Sequence, residues 1–171
     1  ACFGVGSLFA QAPEGVEGGR HKLALFSGHS WVPEGRSAVS GERITVLAPT
    51  FGIDYEYRLN ARWSIGSYND VEVMRFLVEE EEGRLLEREN VLLLSVGGAY
   101  EPFVRFSIQL GAGVETDAHG TLAVGRLGVE YGLLVQRNME LSVAASYLNK
   151  EVYDVFSLGL ALGFRFGPKD R

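Results

Sequence analysis

Between Val155 and Gly167 the chain reads VFSLGLALGFRFG, in which Phe156, Leu158, Leu160, Leu162, Phe164 and Phe166 alternate with Ser157, Gly159, Ala161, Gly163 and Arg165. Successive side chains of an extended strand point to opposite faces, so the segment has one face of six large apolar groups and another with almost nothing bulky. A strand of this kind suits a narrow closed barrel, greasy outside and crowded inside.

Seven earlier segments repeat the pattern. They run from about His21 to Trp31, Ile44 to Leu59, Trp63 to Val78, Asn90 to Tyr100, Val104 to Glu115, Thr121 to Val135, and Met139 to Leu148. In the fifth, Val104, Phe106, Ile108, Leu110, Ala112 and Val114 oppose Arg105, Ser107, Gln109, Gly111, Gly113 and Glu115. In the first, Leu23 and Leu25 oppose Lys22, Ala24 and Gly28, with Phe26 out of pattern. Pro49 predicts a bulge or a late start in the second, because proline cannot donate to a ladder.

The connections alternate in length. Asn60-Ala61-Arg62, Glu101-Pro102-Phe103 and Gln136-Arg137-Asn138 read as tight turns, whereas Val32 to Arg43, Glu79 to Glu89, Thr116 to Gly120 and Asn149 to Asp154 read as longer polar loops. An outer-membrane barrel is wired this way, and a strand of about ten residues tilted by roughly 40° climbs about 25 Å, the height of its apolar band. Tyr57, Trp63, Phe103 and Phe166 fall near the short-turn end, and Trp31, Tyr147 and Tyr153 near the long loops, as two interfacial girdles require.

Composition agrees. Glycine at 22 and aromatics at 11% fit strands and turns and exclude disorder, and the net charge of −6 with no basic stripe argues against nucleic-acid binding. Cys2 is the only cysteine, so no intramolecular disulfide can form, and His21, His29 and His119 lack metal-ligand spacing. Neither a metal nor another cofactor is expected. Residues 1–12 end in Ala10-Gln11-Ala12 and read as the remnant of a signal peptide. Residues 13–20 would be a periplasmic leader, 21–167 the barrel and 168–171 a tail. Alternation also permits the same barrel inside out, a soluble lipocalin-like binder of apolar ligands. The bulk of the apolar faces and the glycine and serine opposite them favour the membrane form.

The expected fold is all-β, an eight-stranded antiparallel up-and-down transmembrane β-barrel. Gly28-His29-Ser30-Trp31-Val32-Pro33-Glu34-Gly35, Gly52-Ile53-Asp54-Tyr55, Arg126-Leu127-Gly128-Val129-Glu130-Tyr131-Gly132 and the closing strand resemble the small outer-membrane barrels of the OmpA/OmpX type, and more closely small barrels of Bacteroidetes. The resemblance covers about His21 to Phe166. It implies export to the outer membrane of a Gram-negative bacterium, with membrane lipid, lipopolysaccharide and the barrel-assembly machinery as partners of a monomer. That fold hosts adhesins, anchors, lipid-modifying enzymes and small pores alike, so function has to come from the residues.

The polar faces carry Asp54, Glu56, Arg58, Asp70, Glu72, Arg105, Gln109, Glu115, Arg126, Glu130 and Glu140. Charges in a narrow lumen must be paired, hydrated or neutralised, so Arg105 and Arg126 are expected to bridge acidic neighbours in a network that plugs the barrel. The alternative is a small proton or cation pore. Lipid A deacylase pairs histidine and serine as His-x-Ser with a remote glutamate, whereas here the order is Ser27-Gly28-His29, with Ser30 following. A lipid hydrolase using His29 with Ser27 or Ser30 is therefore an alternative to the expected non-enzymatic structural or surface-interaction role. Glu79-Glu80-Glu81-Glu82-Gly83 reads as a solvated hairpin tip, and Arg36, Arg84, Arg88 and Lys150 as loop residues that could touch lipopolysaccharide phosphates.

Overall fold

The computed structural model describes residues 19–79 and 83–168. The expected signal-peptide remnant, residues 80–82 at the tip of the acidic hairpin, and most of the leader and tail lie outside the described residues. The strands are β1 (His21–Val32), β2 (Gly35–Ser37), β3 (Val46–Arg58), β4 (Trp63–Glu79), β5 (Leu85–Phe103), β6 (Phe106–Thr116), β7 (Thr121–Gln136), β8 (Met139–Lys150) and β9 (Asp154–Phe166). All pairings are antiparallel, β1 lies between β3 and β9, and β4 with β5 completes the ring. Among the named strands the three residues of β2 pair with the far end of β4 and lie outside the ring, so the closed barrel has eight strands.

The large apolar faces point outward. Leu25, Ile53, Ile65, Val96, Leu110, Leu127 and Leu160 are exposed, while Lys22, Glu56, Asp70, Gln109, Arg126, Glu130 and Arg165 are buried. Lipid is the solvent such an exterior requires, which excludes the inside-out, lipocalin-like alternative. Among the few polar groups on the outer face, Ser67 donates to Asn69 Oδ1 at 3.1 Å and Asn69 Nδ2 donates to the Ile53 carbonyl at 3.1 Å.

Phe26 keeps the alternation of β1 and turns its ring into the lumen, correcting the expectation that it breaks the pattern. The room comes from glycine. Gly28 and Gly159 face each other across β1 and β9. A Cβ on Gly28 would lie 2.7 Å from the Gly159 Cα and 2.8 Å from the Phe26 ring.

Towards the long-loop end the pattern reverses. Along β4 the inward positions change from Tyr68, Asp70 and Glu72 to Met74, Phe76 and Val78, while Arg75 and Glu79 face out. The reversal coincides with a break in register between Glu72 and Arg75, opposite Asn90, which has φ 49°. That bulge re-phases β5, so that Arg88 and Val91 both point inward. Beyond it β4 and β5 continue as a ribbon with Arg75, Glu79, Glu87 and Glu89 outside and Met74, Phe76, Val78 and Leu86 inside, the arrangement water selects. Residues Leu85 to Glu89, expected in a loop, belong to this ribbon. The alternation breaks at Asn90, and the break read as the start of a strand.

Of two further boundaries, one is the late start expected of the second strand and the other differs from the sequence reading. β3 starts late, at Val46, and runs through Pro49; its pairing with β4 begins only at Thr50. The turn expected at Glu101-Pro102-Phe103 lies instead at Val104-Arg105, where Arg105 takes φ 68°. Pro102 suggested a turn, yet it sits in the break in register between Tyr100 and Phe103, so it removes no ladder bond.

Candidate functional site: the lumen and its outer rim

Inward-facing positions of neighbouring strands stack into layers, and each layer has its own chemistry. At the short-turn end the layer is ionic. Lys22 Nζ lies 2.7 Å from Glu130 Oε1 and 3.8 Å from Glu140 Oε2. Arg165 bridges Glu140 at 3.4 Å and Glu101 at 3.6 Å, and Arg58 meets Glu101 at 3.2 Å. Ser142 donates to Glu130 at 2.5 Å, while Gln109 spans Glu56 at 3.5 Å and Glu130 at 3.4 Å. A cavity of about 20 Å³ among Lys22, Glu56, Glu101, Arg105, Glu130 and Arg165 has room for about one water.

The middle layer holds Phe26, Asp54, Tyr68, Asp70 and Arg126. Arg126 Nη1 donates to Asp70 Oδ2 at 2.6 Å, with its guanidinium 5.4 Å from the Tyr68 ring centroid. Asp54 accepts the backbone N–H of Asn69 at 3.2 Å. Just above, a hydroxyl chain crosses β1, β3 and β9, with Ser30 Oγ 2.7 Å from Thr50 and 2.8 Å from Ser157.

A second ionic cluster is built on Glu115. Its carboxylate takes Arg88 at 2.7 Å, the Tyr153 hydroxyl at 2.5 Å and an ion pair with Lys150, and Lys150 also reaches Glu72 at 3.3 Å. Arg88, Lys150 and Glu115 are all buried. Val32, Val46, Phe76, Val78, Leu93, Leu122, Val124, Leu148, Tyr153 and Val155 pack together around and above this cluster as an apolar plug. Burial and the carboxylates of Glu115 and Glu72 push the Tyr153 phenol above its ordinary value, so it stays a donor.

Of the residues singled out from the sequence, Asp54, Glu56, Glu72, Glu115, Arg126, Glu130 and Glu140 face the lumen, and Arg58 joins them at its lower edge. Arg105 does not bridge an acidic neighbour among the described residues; it occupies the turn and is exposed. Ser27 and His29 are exposed on the outer face of β1, whereas Ser30 is buried on its inner face. A strand places adjacent residues on opposite sides, so His29 and Ser30 are kept apart by the barrel wall. Arg88 and Lys150 are not loop residues but lumen cations, and of the four loop cations expected only Arg36 and Arg84 remain outside.

The aromatic groups divide similarly. Trp63 packs on Tyr100 with centroids 4.7 Å apart, and Tyr57 and Phe166 flank His21, each at 5.2 Å, at the short-turn end. Phe103 is exposed beside its turn. Tyr147 packs on Phe156 at 5.0 Å near Trp31 at the other end, but Tyr153 belongs to the plug and not to a girdle. Of the basic halves of both networks, Lys22 and Arg165 were placed on the polar strand faces but not in the lumen network, and Arg88 and Lys150 were placed in the loops. Lys22 and Arg165 could have been found, since each alternates with small residues on the inner face. For Arg88 the bulge hides the phase.

On the outer rim, Asp117 ties the β6–β7 loop to β5. Its Oδ2 accepts the Glu89 backbone N–H at 3.0 Å, and its Oδ1 accepts the backbone N–H groups of His119 at 2.8 Å and Gly120 at 3.0 Å, as well as Arg88 at 3.0 Å. Arg36 of β2 pairs with Glu79 of β4, and Arg75 with Glu87 across the ribbon. The Arg36 hydrogen bond and charge hold the Glu79 carboxyl below its ordinary value.

No family model and no curated protein matches the sequence. Among solved structures, Ail of Yersinia pestis is similar with a TM-score of 0.54 at 15% identity, over 87% of this chain and 99% of Ail. Ail in complex with the heparin analogue sucrose octasulfate gives 0.53 at 15% identity, over 85% and 97%. OprG of Pseudomonas aeruginosa gives 0.50 at 14% identity, over 88% and 99%. The chain therefore has the fold of the small eight-stranded outer-membrane barrels.

Proposed function

We propose that this chain is a closed, non-enzymatic barrel of a Gram-negative outer membrane, reached by signal-peptide export and the barrel-assembly machinery, and that its work is done as a monomer by the ribbon and loops it holds outside the cell. The filled lumen carries this reading: an apolar plug lies over two ionic clusters, with a cavity of only about 20 Å³ beneath. A conduit needs a continuous polar path, and the plug interrupts it. A hydrolase needs nucleophile and base within hydrogen-bond reach, and the barrel wall separates His29 from Ser30.

The loops set the chemistry of the outer surface. Segments 33–45, 73–90, 117–120 and 151–154 hold eleven of the 22 acidic residues but only five of the 16 lysines and arginines, so the rest of the chain is balanced at eleven of each. The whole net charge of −6 thus belongs to this end. Ail accommodates a sulfated polyanion; a surface this acidic favours cations and cationic partners instead. Outer-membrane lipid and lipopolysaccharide would be contacted from the apolar band and from Arg36 and Arg84 at its edge.

Trypsin added to intact cells is expected to cut after Arg84 at the ribbon tip and leave a barrel that still migrates faster unboiled than boiled. Purified protein is expected to be silent in planar bilayers. Cleavage only after the outer membrane is permeabilised, or discrete conductance steps, would overturn the proposal.

A further inference from the structure

Glu87 and Glu89 are two residues apart on β5, and both turn outward from the ribbon. The period-two geometry of a strand puts their carboxylates on one side. His119 comes from the β6–β7 loop, thirty residues later in the chain. A ligand atom from each of the three, two carboxylate oxygens and one imidazole nitrogen, lies within 4.8 Å of the others. We infer that Glu87, Glu89 and His119 form a binding site for one first-row divalent cation of the zinc type.

Three observations point the same way. The donor set is mixed: two carboxylates alone would describe an ordinary acidic surface, whereas an added imidazole nitrogen selects zinc-like ions over calcium or magnesium, which take oxygen. Next, the protein gives these groups little else to do. The His119 ring and the Glu89 carboxylate have no hydrogen bond or ion pair among the described residues, and Glu87 uses one oxygen on Arg75, leaving the other for a metal. Finally, the backbone of the site is fixed in advance. Asp117 receives the N–H groups of both Glu89 and His119, and the same carboxylate is anchored from inside the barrel by Arg88. Two ligand-bearing elements distant in sequence are thereby held together without a metal, which lowers the ordering cost of binding one.

Two carboxylates face the ion, and the Arg75 guanidinium, paired with Glu87 and close enough to act on Glu89, is the cation it would have to share them with. Three protein ligands leave open coordination positions for water or for a donor from another molecule, so a bound ion could also bridge the barrel to an anionic partner. The sequence could not show this site. Its spacing, Glu-x-Glu followed thirty residues later by a lone histidine, matches no local ligand motif, and only pairing of the ribbon with the loop joins them.

The test is calorimetric titration of Zn²⁺ into the full-length barrel in detergent micelles, with Ca²⁺ titrated separately, on the unaltered protein, on His119→Ala and on Glu89→Gln. One Zn²⁺ per chain is expected, with at least tenfold weaker binding in each variant and at least tenfold weaker binding of Ca²⁺ to the unaltered protein. Faster migration before boiling shows that each variant is folded. Zn²⁺ binding unchanged in His119→Ala, absence of Zn²⁺ binding in the unaltered protein, or equal affinity for Ca²⁺ would each overturn the assignment.

Discussion

The lower lumen, around Lys22 and Arg165, and the upper lumen, around Glu115, contain the same kinds of side chain in different surroundings. Below, Lys22, Glu130, Glu140, Arg165 and Glu101 border a small cavity with room for about one water, and Glu101 is partly exposed at its edge. Above, Lys150, Arg88 and Glu115 are packed among Phe76, Leu93, Leu148 and Tyr153, which keep water away. Ion pairs near water are replaceable; ion pairs under a dry lid are not, because a lone charge left there keeps its desolvation cost. The lower cluster can thus be understood as filling, and the upper one as the anchor that joins plug, wall and outer rim through Arg88 and Asp117.

The largest effect is expected where the two regions meet. Leucine in place of Gly28 would drive a side chain into Gly159 and the Phe26 ring. We expect Gly28→Leu to yield no faster-migrating folded form, while Leu158→Val, on the outer face of the partner strand, folds normally. A folded Gly28→Leu barrel would mean that the middle layer is not close-packed.

Next come the two lysines. Lys150→Met leaves Glu115 and Glu72 without their shared ammonium under the plug and is expected to cost about 3–5 kcal/mol. Lys22→Met should cost less, about 1.5–3 kcal/mol, the worth of a hydrogen bond to a charged group, since Ser142, Gln109 and Arg165 still serve Glu130 and Glu140. Urea titrations in micelles, read by migration before boiling, measure both. Equal costs would show that plug and mouth give the same protection from water.

The smallest effect lies outside the barrel. Because Arg36 lowers the Glu79 carboxyl, that pair contributes stability fully present above the ordinary glutamate value and lost as pH falls through the lowered one. The group is exposed, so the contribution is slight. Arg36→Ala should melt below the unaltered protein at pH ~6, and the gap should narrow as the pH falls below the usual glutamate value of ~4.3. A gap that persists in acid would show that Arg36 acts through packing of β2.

Much of this was legible in the chain. Period-two alternation identified all eight barrel strands and separated inner from outer residues almost throughout, because side-chain direction in a strand is a local property. Glycines and serines opposite leucines and phenylalanines foretold a narrow lumen. Phe26 was misread for lack of a neighbour: it fits inside only because Gly28, Gly52 and Gly159 approach it from three strands.

By itself, then, the sequence determined strand number, the strand faces below the bulge and most of the acidic content of the lumen. Which charges pair was decided only by closure of the barrel, which brings Lys22 to Glu130 across 108 residues and Arg126 to Asp70 across 56. The bulge opposite Asn90, the reversal of faces beyond it and the burial of Arg88, Lys150 and Tyr153 were likewise tertiary decisions. The physical reason is common to all of them: alternation states that two faces differ, while the ring of neighbours fixes what each face meets, and that changes along a strand as its surroundings pass from lipid to water.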